Sequence, residues 1–446
     1  MQRSISPARV GGSVRAPSSK SSMQRAVACA ALAPGRSTLT NALFSADCLA
    51  ALALVEALGA RVERRSDSVL IEGGILEKTG AAIADGPSGA GGAALPGQSD
   101  GGIRQRRLSC GESGLCIRMF SPIVALLPGE TLLEAEGSLR SRPLSMVEGA
   151  LESAGASCTS ADGFPPVLVR GPLRGGSVRA DASSSSQFVT GLLMALPLAP
   201  ADSTVEAEGL VSGGYVDFTL DTMRAFGVEV VKLASSGGPG VSFGMRGGQS
   251  YQAADFEVEG DWSGAAFLLV AGALAAVGEP LEVRGLSLDS CQPDRAVVGA
   301  LASAGAEIEW RAGSLFVSRG ALDPFDFDAR DCPDLVPPLV ALAAHCRGAS
   351  RIAGVSRLRA KESDRAAALS EEFAKLGVKI EVEGDELVVR GGFVSGGRVE
   401  AHGDHRIAMA AAVAGLAAAG AVLVDGAESV AKSWPGFFED LASICR

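Results

Sequence analysis

LSEEFAKLGVKIEVEG (369–384) contains the sequence pattern from which the fold can be predicted. Its apolar residues recur at helical spacing up to Gly377, and a short strand pattern with β-branched residues follows at once. A glycine at this point is typical of a helix C-terminus, because glycine adopts the left-handed backbone without steric cost. The segment therefore predicts an amphipathic helix that ends at Gly377 and leads into a strand.

The same helix–glycine–strand unit recurs along the chain. The further copies are LAALALVEALGARVE (49–63), MVEGALESAGA (146–156), TMRAFGVEVV (222–231) and VGALASAGAEIEW (298–310), with FFEDLASIC (437–445) as a truncated sixth. Successive glycines lie 96, 72, 78 and 72 residues apart, which is too long for a solenoid and suits a compact βαβαββ unit. We predict three such units in each of two domains. The long first interval contains a Gly/Ala/Ser-rich run, 74–102, interpreted as a surface loop.

Composition narrows the class of protein. A chain of 446 residues exceeds one ordinary core, so two domains are expected. The net charge of −11 argues against non-specific binding to nucleic acid or acidic membranes, so any anion must be bound by a local basic pocket. Nine cysteines without a CxxC pair, and three histidines, form no familiar zinc pattern, and reduced thiols in a cytosol are expected.

Two segments bear on export and membrane insertion. The first twenty residues lack the apolar core of a signal peptide, so export is not expected. Residues 407–424 are uncharged and imitate a membrane span, but they are mostly Ala and Gly. Gly415 and Gly420 are interpreted as breaks between a buried helix and a strand.

Six short polar turns precede apolar helices, and each predicts a helix N-terminus. They are SSMQ (21–24), SCGE (109–112), SSSQ (184–187), GDWS (260–263), DCPD (331–334) and GDHR (403–406). The first three fit the S-x-x-E/Q capping box, and Pro333 suits a first helical turn. If these helix ends converge, their partial positive charges would attract anions despite the acidic chain.

Two clusters of polar residues carry the candidate chemistry. KSSMQR (20–25) places an ammonium, hydroxyls and a guanidinium on one helix start, which suits a phosphate or carboxylate. The second cluster mixes acids with cations, as proton transfer to a phosphorylated substrate requires: Asp334, KESDR (361–365), DHR (404–406) and Lys432. KESDR could equally be an exposed, ion-paired helix start, and His405 could be structural. These residues alone leave the function open.

The order of the motifs over nearly the whole chain resembles the 3-phosphoshikimate 1-carboxyvinyltransferase (EPSP synthase) family. The matching pieces are Lys20-Ser21 and Arg25, GESGLCIR (111–118), SLRSRP (138–143), DASSSSQFVTGLLM (181–194), LVSGGYVDFT (210–219), VEGDWSGAAF (258–267), Gln292 and Asp294, PDL (333–335), AKESDR (360–365), GDHRIAM (403–409) and AKSWPGFFEDL (431–441). Each piece is modest, and together in this order they are highly specific.

The resemblance implies a two-domain, inside-out α/β barrel with three βαβαββ units per domain and an active site in the interdomain cleft. The chain would cross between domains near Ala16 and near Glu257. Residues 1–16 would then form a strand of the C-terminal half, 17–257 the first domain, and 258–446 the second.

The resemblance also implies a reaction and its ligands. The enolpyruvyl group of phosphoenolpyruvate would move to the 5-hydroxyl of shikimate 3-phosphate, with no metal or nucleotide cofactor. Shikimate 3-phosphate would be held by Lys20, Ser21, Arg25, Ser185, Ser186, Gln187, Ser212, Tyr215, Asp334 and Lys361. Phosphoenolpyruvate would be held by Lys20, Gly114, Arg142, Gln187, Arg365, Arg406 and Lys432.

Three residues are expected to carry the chemistry. We hypothesise that Glu362 delivers a proton to carbon 3 of the donor, that Asp334 accepts one from the 5-hydroxyl or the intermediate, and that Lys20 assists phosphate departure. The expected partners are the two small substrates alone, with no nucleic acid and no membrane, for a monomeric cytoplasmic enzyme.

Two departures from the family pattern stand out. The family commonly has GNAGT where this chain has Gly111 to Leu115, so a carboxylate, Glu112, lies beside the anion pocket and is expected to be paired or turned away, in the direction of Arg118. Arg357 stands where some members place an asparagine toward shikimate 3-phosphate.

Two alternatives stay open. A UDP-N-acetylglucosamine enolpyruvyl transferase would share the architecture and use a loop cysteine as general acid, for which Cys110 and Cys116 are candidates. KESDR and the Ser185-Ser186-Gln187 triplet favour the shikimate substrate. A nucleic-acid-binding relative of the RNA terminal-phosphate cyclase group would need a basic surface, which the net charge of −11 opposes.

Overall fold

The computed structural model describes residues 1–78, 105–234 and 240–446. From residue 79 onward, the predicted Gly/Ala/Ser-rich loop lies outside these residues. The α-helices that lie wholly within the described residues are α1 (Lys20–Leu32), α2 (Ala46–Ala57), α3 (Gly114–Val124), α4 (Glu148–Ser153), α5 (Gln187–Ala195), α6 (Gly213–Ala225), α7 (Trp262–Ala275), α8 (Val297–Ser303), α9 (Val336–Ala343), α10 (Arg365–Lys375), α11 (His405–Gly415) and α12 (Phe437–Ile444).

The strands of the same residues are short and evenly spread. They are β1 (Gln2–Ile5), β2 (Val10–Arg15), β3 (Arg36–Thr40), β4 (Arg61–Arg64), β5 (Ser68–Glu72), β6 (Gln105–Ser109), β7 (Gly129–Glu134), β8 (Ser157–Ala161), β9 (Phe164–Gly171), β10 (Gly176–Asp181), β11 (Ser203–Glu208), β12 (Val231–Leu233), β13 (Val241–Met245), β14 (Asp255–Glu257), β15 (Ala276–Arg284), β16 (Glu307–Arg311), β17 (Ser314–Ser318), β18 (Asp326–Asp328), β19 (Ala349–Ala353), β20 (Lys379–Glu383), β21 (Glu386–Arg390), β22 (Gly397–Glu400) and β23 (Val422–Asp425).

The strands form five four-stranded sheets and one three-stranded sheet. In the sheet β6-β7-β9-β8, β6 and β7 are parallel, and β9 runs antiparallel to both β7 and β8. With α3 and α4 in the connections, this is a βαβαββ unit, and the chain from β10 to β13 and from β18 to β21 repeats it. The predicted repeat is confirmed.

The repeat glycines end their helices as the sequence predicts. Gly59, Gly155, Gly227, Gly305 and Gly377 all adopt a left-handed backbone, with φ between 79° and 101°. A side chain is disfavoured in this conformation, so glycine fixes the point at which each helix gives way to a strand.

The hydrophobic residues fall into two clusters. One contains residues between Met23 and Val258, and we call this part of the molecule the first lobe. The other joins Val10, Val14 and Ala16 to residues between Trp262 and Ile444, and we call it the second lobe.

Several helices are buried on every side, as expected of helices that are apolar all round. All residues of α3, α7, α9 and α11 are buried. Within the lobes, α3 packs on α5, and α9 and α7 pack on α11. The helices therefore form the centre of each lobe and the sheets lie outside them, in agreement with the predicted fold class.

Residues near both predicted crossings lie side by side. Ser19 N donates to Glu259 O at 2.7 Å, and Asp261 N donates to Pro17 O at 2.8 Å. Before the first crossing, β2 pairs with β15 of the second lobe. Before the second crossing, β14 pairs with β3 of the first lobe. The exact domain boundaries stay a prediction, which these pairings support.

Of the six predicted turns, two supply the capping side chain, three capping boxes are wrong, and the sixth places Pro333 in the first turn of a 3₁₀ helix, Pro333–Leu335, as predicted. Asp261 caps α7 and Asp404 caps α11 through their side chains. The three capping boxes are wrong: Ser19 caps α1 and Ser113 caps α3, while Ser186 makes no side-chain capping bond to α5. Neighbouring serines are equivalent as caps, and only the tertiary path decides which one takes the extended backbone.

The uncharged segment 407–424 folds as interpreted, because α11 ends at Gly415 and β23 begins at Val422. None of the helices in the described residues has the length and apolar character needed to span a membrane.

Candidate active site

Two adjoining pockets lie where the lobes meet. The cationic pocket is lined by Lys20, Ser21, Gln24, Asp47, Gly114, Leu115, Arg142, Gln187, Asp334, Lys361, Glu362, Arg365, His405 and Arg406. The hydroxyl pocket is lined by Ser21, Arg25, Leu115, Ser185, Ser186, Gln187, Ser212, Tyr215, Pro333, Asp334, Arg357 and Lys361. Five residues border both pockets: Ser21, Leu115, Gln187, Asp334 and Lys361.

The structure brings all the predicted site residues together. Every one of them lines one of the two pockets except Lys432. The Lys432 side chain ion-pairs with Glu112 at 3.5 Å, and its positive charge acts on Glu362 of the cationic pocket. The roles assigned to these residues stay predictions.

Arg365 organises the acidic side of the cationic pocket. It is 1% exposed and contacts three carboxylates: Nη1 lies 3.0 Å from Asp334, Nη2 lies 2.6 Å from Glu362, and Nε lies 2.9 Å from Asp404. Asp404 is fully buried and also accepts the N–H of Arg406 as the cap of α11. A buried guanidinium with this many charged partners is held in one orientation, so Arg365 fixes both proposed proton-transfer groups.

The remaining cations of the pocket are also paired. Arg406 Nη2 lies 3.1 Å from Asp334 Oδ2 and 2.9 Å from Ser263 Oγ. Lys20 Nζ lies 2.9 Å from Asp47 Oδ2. Burial lowers the pKa of Lys20, but the charges of Asp47 and Glu362 outweigh it and the pKa is raised.

The two acidic residues expected to move protons are carboxylates in the unliganded protein. Burial raises the pKa of Asp334, but Arg406, Lys361 and Arg365 outweigh burial and hold it well below its usual value. The pKa of Glu362 is likewise held well below its usual value, because Arg365 and Arg142 outweigh burial. An anion bound to these cations would therefore raise both pKa values.

The hydroxyl pocket is built from both lobes. Ser212 begins α6 with a left-handed backbone, φ 56°, and its N–H is accepted by Asp331 Oδ1 at 2.9 Å. Its Oγ accepts a 3.1 Å hydrogen bond from Arg357 Nη1. Since Asp331 and Arg357 belong to the second lobe, the position of Ser212 depends on contact between the lobes.

Arg25 is the buried cation of this pocket. It is 2% exposed, and Nε donates to Thr219 Oγ1 at 2.9 Å. Its guanidinium also lies 5.8 Å from the ring centroid of Tyr215. Burial lowers the pKa of Arg25 to about 10, so the side chain still carries its charge at neutral pH.

The expectation that Glu112 is paired is confirmed, but the expected direction toward Arg118 is wrong. Its carboxylate does not face Arg118, but accepts hydrogen bonds from the N–H and Oγ of Ser138 and pairs with Lys432. Arg118 instead donates to the carbonyl oxygens of Gly114 and Pro143 and to Gln187 Oε1. Helical proximity within GESGLCIR suggested Arg118, whereas the actual partner lies 320 residues away along the chain.

The sequence did not predict one side chain of the cationic pocket, Asp47, and left the role of another, His405, open. Asp47 carries no signal beyond its place in the first turn of α2. His405 is 1% exposed, lines the cationic pocket, and has no hydrogen-bond partner for either ring nitrogen among the described residues. Burial and the charge of Lys20 hold its pKa well below its usual value, so the ring is neutral.

Outside the pockets, Glu371, Glu372 and His402 form the group with metal-ligand geometry in the described chain. Lys375 Nζ lies 2.7 and 2.8 Å from the two carboxylate oxygens of Glu372, and His402 Nε2 lies 2.7 Å from one of them. Lys375 therefore already pairs with the Glu372 carboxylate, and we interpret the group as a structural ion pair.

Fold and site place clustered cationic side chains between two α/β lobes, an arrangement typical of enzymes that act on small anions. The chain matches the family described as EPSP synthase (3-phosphoshikimate 1-carboxyvinyltransferase) over residues 5–441. A relative of that name from Halobacterium salinarum is 39% identical over 100% of this chain and 99% of its own length, and one from Aeropyrum pernix is 41% identical over 99% and 95%. An EPSP synthase structure from Acinetobacter baumannii matches with a TM-score of 0.77 and 25% identity, covering 100% of this chain and 98% of that one.

The chain belongs to the EPSP synthase family and is an enzyme of this family. The resemblance and the fold class predicted from sequence are confirmed. Cys110 and Cys116, the candidates for a cysteine-dependent alternative, are fully buried in the first-lobe core and line neither pocket.

Proposed function

We propose that this chain transfers the enolpyruvyl group of phosphoenolpyruvate to the 5-hydroxyl of shikimate 3-phosphate, releasing phosphate. One observation carries the proposal: two pockets lined by cationic side chains adjoin, and the residues they share include Gln187, Asp334 and Lys361. Two substrates bound side by side would therefore meet at a carboxylate and an ammonium, which is the arrangement a group transfer between them requires.

The cationic pocket suits phosphoenolpyruvate. The carboxylate and phosphate of phosphoenolpyruvate would be bound by Arg142, Arg365 and Arg406. Lys20 and Lys432 complete the set of cations. Gly114 lines the pocket with no side chain, and Gln187 separates the two substrates. Guanidinium groups bind carboxylates and phosphates through paired hydrogen bonds, so three of them orient the donor as well as attract it.

The hydroxyl pocket suits shikimate 3-phosphate. Ser185, Ser186 and Ser212 supply hydroxyl donors for the phosphate, and Arg25 and Lys361 supply positive charge. Ser21 and Tyr215 line the same pocket. The residues stand in both lobes, so the acceptor would bind best when the cleft is closed.

The chemistry needs two proton-transfer groups. Asp334 takes the 5-hydroxyl proton as that oxygen bonds to carbon 2 of the donor, and Glu362 gives a proton to carbon 3. The tetrahedral intermediate then returns a proton from carbon 3 to the Glu362 carboxylate while the bond from carbon 2 to the phosphate oxygen breaks. Lys20 stabilises the departing phosphate.

Glu362 must gain a proton before it can act as an acid. Its pKa is low in the free protein because of Arg365 and Arg142. Phosphoenolpyruvate brings negative charge to these same cations, so donor binding raises the pKa and prepares Glu362 as the acid.

The proposal includes two domains with boundaries near residues 16 and 257. It also includes a monomeric enzyme in the cytoplasm that does not bind nucleic acid. The two hydrophobic clusters support the boundaries. All nine cysteines are free thiols, which suits a reducing compartment, and the net charge of −11 disfavours nucleic acid. Light scattering after gel filtration tests the oligomeric state.

Phosphate release by the purified chain tests the reaction. We expect release only when phosphoenolpyruvate and shikimate 3-phosphate are both present, together with a product heavier than shikimate 3-phosphate by one enolpyruvyl group. UDP-N-acetylglucosamine in place of shikimate 3-phosphate should give none. Phosphate release with UDP-N-acetylglucosamine, and none with shikimate 3-phosphate, would refute this proposal and support a UDP-N-acetylglucosamine enolpyruvyl transferase instead.

A further inference from the structure

Glu112 and Lys432 form an ion pair between the lobes at the edge of the cationic pocket. Glu112 lies in the first-lobe turn between β6 and α3, and Lys432 ends a short 3₁₀ helix, Ala427–Lys432, of the second lobe. Lys432 Nζ lies 3.5 Å from Glu112 Oε2, and their side chains are 9% and 47% exposed. Among the described residues, Glu112 is the one carboxylate within ion-pair distance of this nearly buried ammonium.

The Glu112 carboxylate is held in place by its own lobe. Its Oε2 accepts hydrogen bonds from Ser138 N at 3.2 Å and Ser138 Oγ at 3.0 Å. It also packs on Gly137, where an added Cβ would lie 2.3 Å from the carboxylate carbon of Glu112. A glycine and two hydrogen bonds thus keep a negative charge at this point before any ligand arrives.

The same lysine is a proposed ligand of phosphoenolpyruvate, and its charge reaches Glu362 inside the pocket. A donor anion that approaches Lys432 therefore meets an ammonium that already has a carboxylate partner. The fixed charge also repels the incoming carboxylate and phosphate groups.

We propose that Glu112 is an internal competitor of the donor anion: it occupies Lys432 in the empty site and weakens the binding of phosphoenolpyruvate and of product phosphate. This inference rests on the proposed function for the identity of the donor. It makes Glu112 a determinant of donor affinity that acts through Lys432. Since Glu112 weakens the binding of product phosphate as well as that of the donor, the same residue favours product release.

The test is Glu112→Gln, which removes the charge and keeps the shape. The KM for phosphoenolpyruvate and the inhibition constant of inorganic phosphate should fall together, by about three- to tenfold, as expected for the loss of one partly exposed opposing charge. The matched control is Glu136→Gln, which removes an exposed carboxylate of the same lobe that is bonded to Ser109 and not to Lys432. Both constants should stay at the wild-type value in the control.

A second measurement assigns the effect to Lys432. In a Lys432→Gln background, Glu112→Gln should no longer tighten phosphate binding, because the two substitutions act on one interaction. An unchanged KM for phosphoenolpyruvate in Glu112→Gln would overturn the proposal. A raised KM would also overturn it, because it would show that Glu112 positions Lys432 for the donor.

Phosphate binding separates this inference from the proposed function. Isothermal titration of inorganic phosphate into the full chain needs no turnover. If the wild-type chain fails to act on the two substrates, the proposed function is wrong, while tighter phosphate binding by Glu112→Gln still supports the competitor role and equal binding still refutes it.

Discussion

Tyr215 of the first lobe donates a 2.5 Å hydrogen bond to Oδ2 of Asp294 in the second lobe. Asp294 is completely buried, and its other carboxylate oxygen has no partner among the described residues. Burial and the negative charge of Asp334 raise the pKa of Asp294 to about 7. The contact between the lobes therefore includes a carboxyl group that folding favours in its protonated form.

The raised pKa predicts a pH dependence of stability. The protonated form is favoured by folding, so the contribution of Asp294 is complete below the pKa of the unfolded chain and is lost as the pH rises to about 7. Asp294→Asn carries no charge at any pH. We expect the variant to gain about 2 kcal/mol of unfolding free energy relative to the wild type between pH 5 and pH 8.

Thermal and urea unfolding of both proteins at the two pH values measure this difference. Asp289→Asn is the control: Asp289 is exposed and precedes the 3₁₀ helix Pro293–Ala296 that contains Asp294, and the variant should follow the wild type at both pH values. An identical offset for Asp294→Asn at pH 5 and pH 8 would show that Asp294 does not titrate in this range.

Replacing Glu362 by Gln tests the proposed acid. The substitution keeps the size of the side chain but cannot deliver a proton, so kcat should fall by about 10² to 10⁴-fold. Binding of shikimate 3-phosphate, measured by titration, should change little, because Glu362 lines the cationic pocket and not the hydroxyl pocket. Glu371→Gln, on the exposed face of α10, should retain full activity. An active Glu362→Gln enzyme would refute the role.

The repeating fold could be predicted from sequence because its signals are local. A helical period, Gly377 and the β-branched residues after it lie within sixteen residues, and glycine is the residue that adopts the left-handed backbone of a helix end without steric cost. The partners of the site could not be predicted in this way. Asp47 reaches Lys20 through the packing of α1 on α2, and Lys432 reaches Glu112 across the contact between the lobes. Such contacts depend on tertiary packing, which spacing along the chain does not encode.

Arg357 is expected to contribute to acceptor binding from the opposite lobe. Its guanidinium donates to Ser212 Oγ and to the carbonyl oxygen of Ser184, beside the serines of the hydroxyl pocket. Arg357→Asn should raise the KM for shikimate 3-phosphate by about tenfold or more, since a charged hydrogen-bond donor is lost. The KM for phosphoenolpyruvate should change less than the KM of the acceptor. Arg359→Asn, an exposed neighbour, should alter neither, and a larger effect on the donor would place Arg357 in the other subsite.

Gly114 leaves room for two guanidinium groups of the cationic pocket. A Cβ at this position would lie 2.9 Å from Arg118 Nη1 and 3.0 Å from Arg142 Nη1, which is too close for either side chain to stay in place. Both groups are the far ends of flexible side chains, so Gly114→Ala should fold, but Arg142 would be displaced from the donor. We expect the KM for phosphoenolpyruvate to rise about tenfold or more, with a smaller change for shikimate 3-phosphate.

Gly149→Ala is the matched control, because a Cβ at Gly149 in α4 meets no atom within 4 Å. Steady-state kinetics with each substrate varied in turn decide the point: equal effects on both substrates would indicate general distortion of the cleft, and an unchanged KM for phosphoenolpyruvate would mean that Arg142 does not hold the donor.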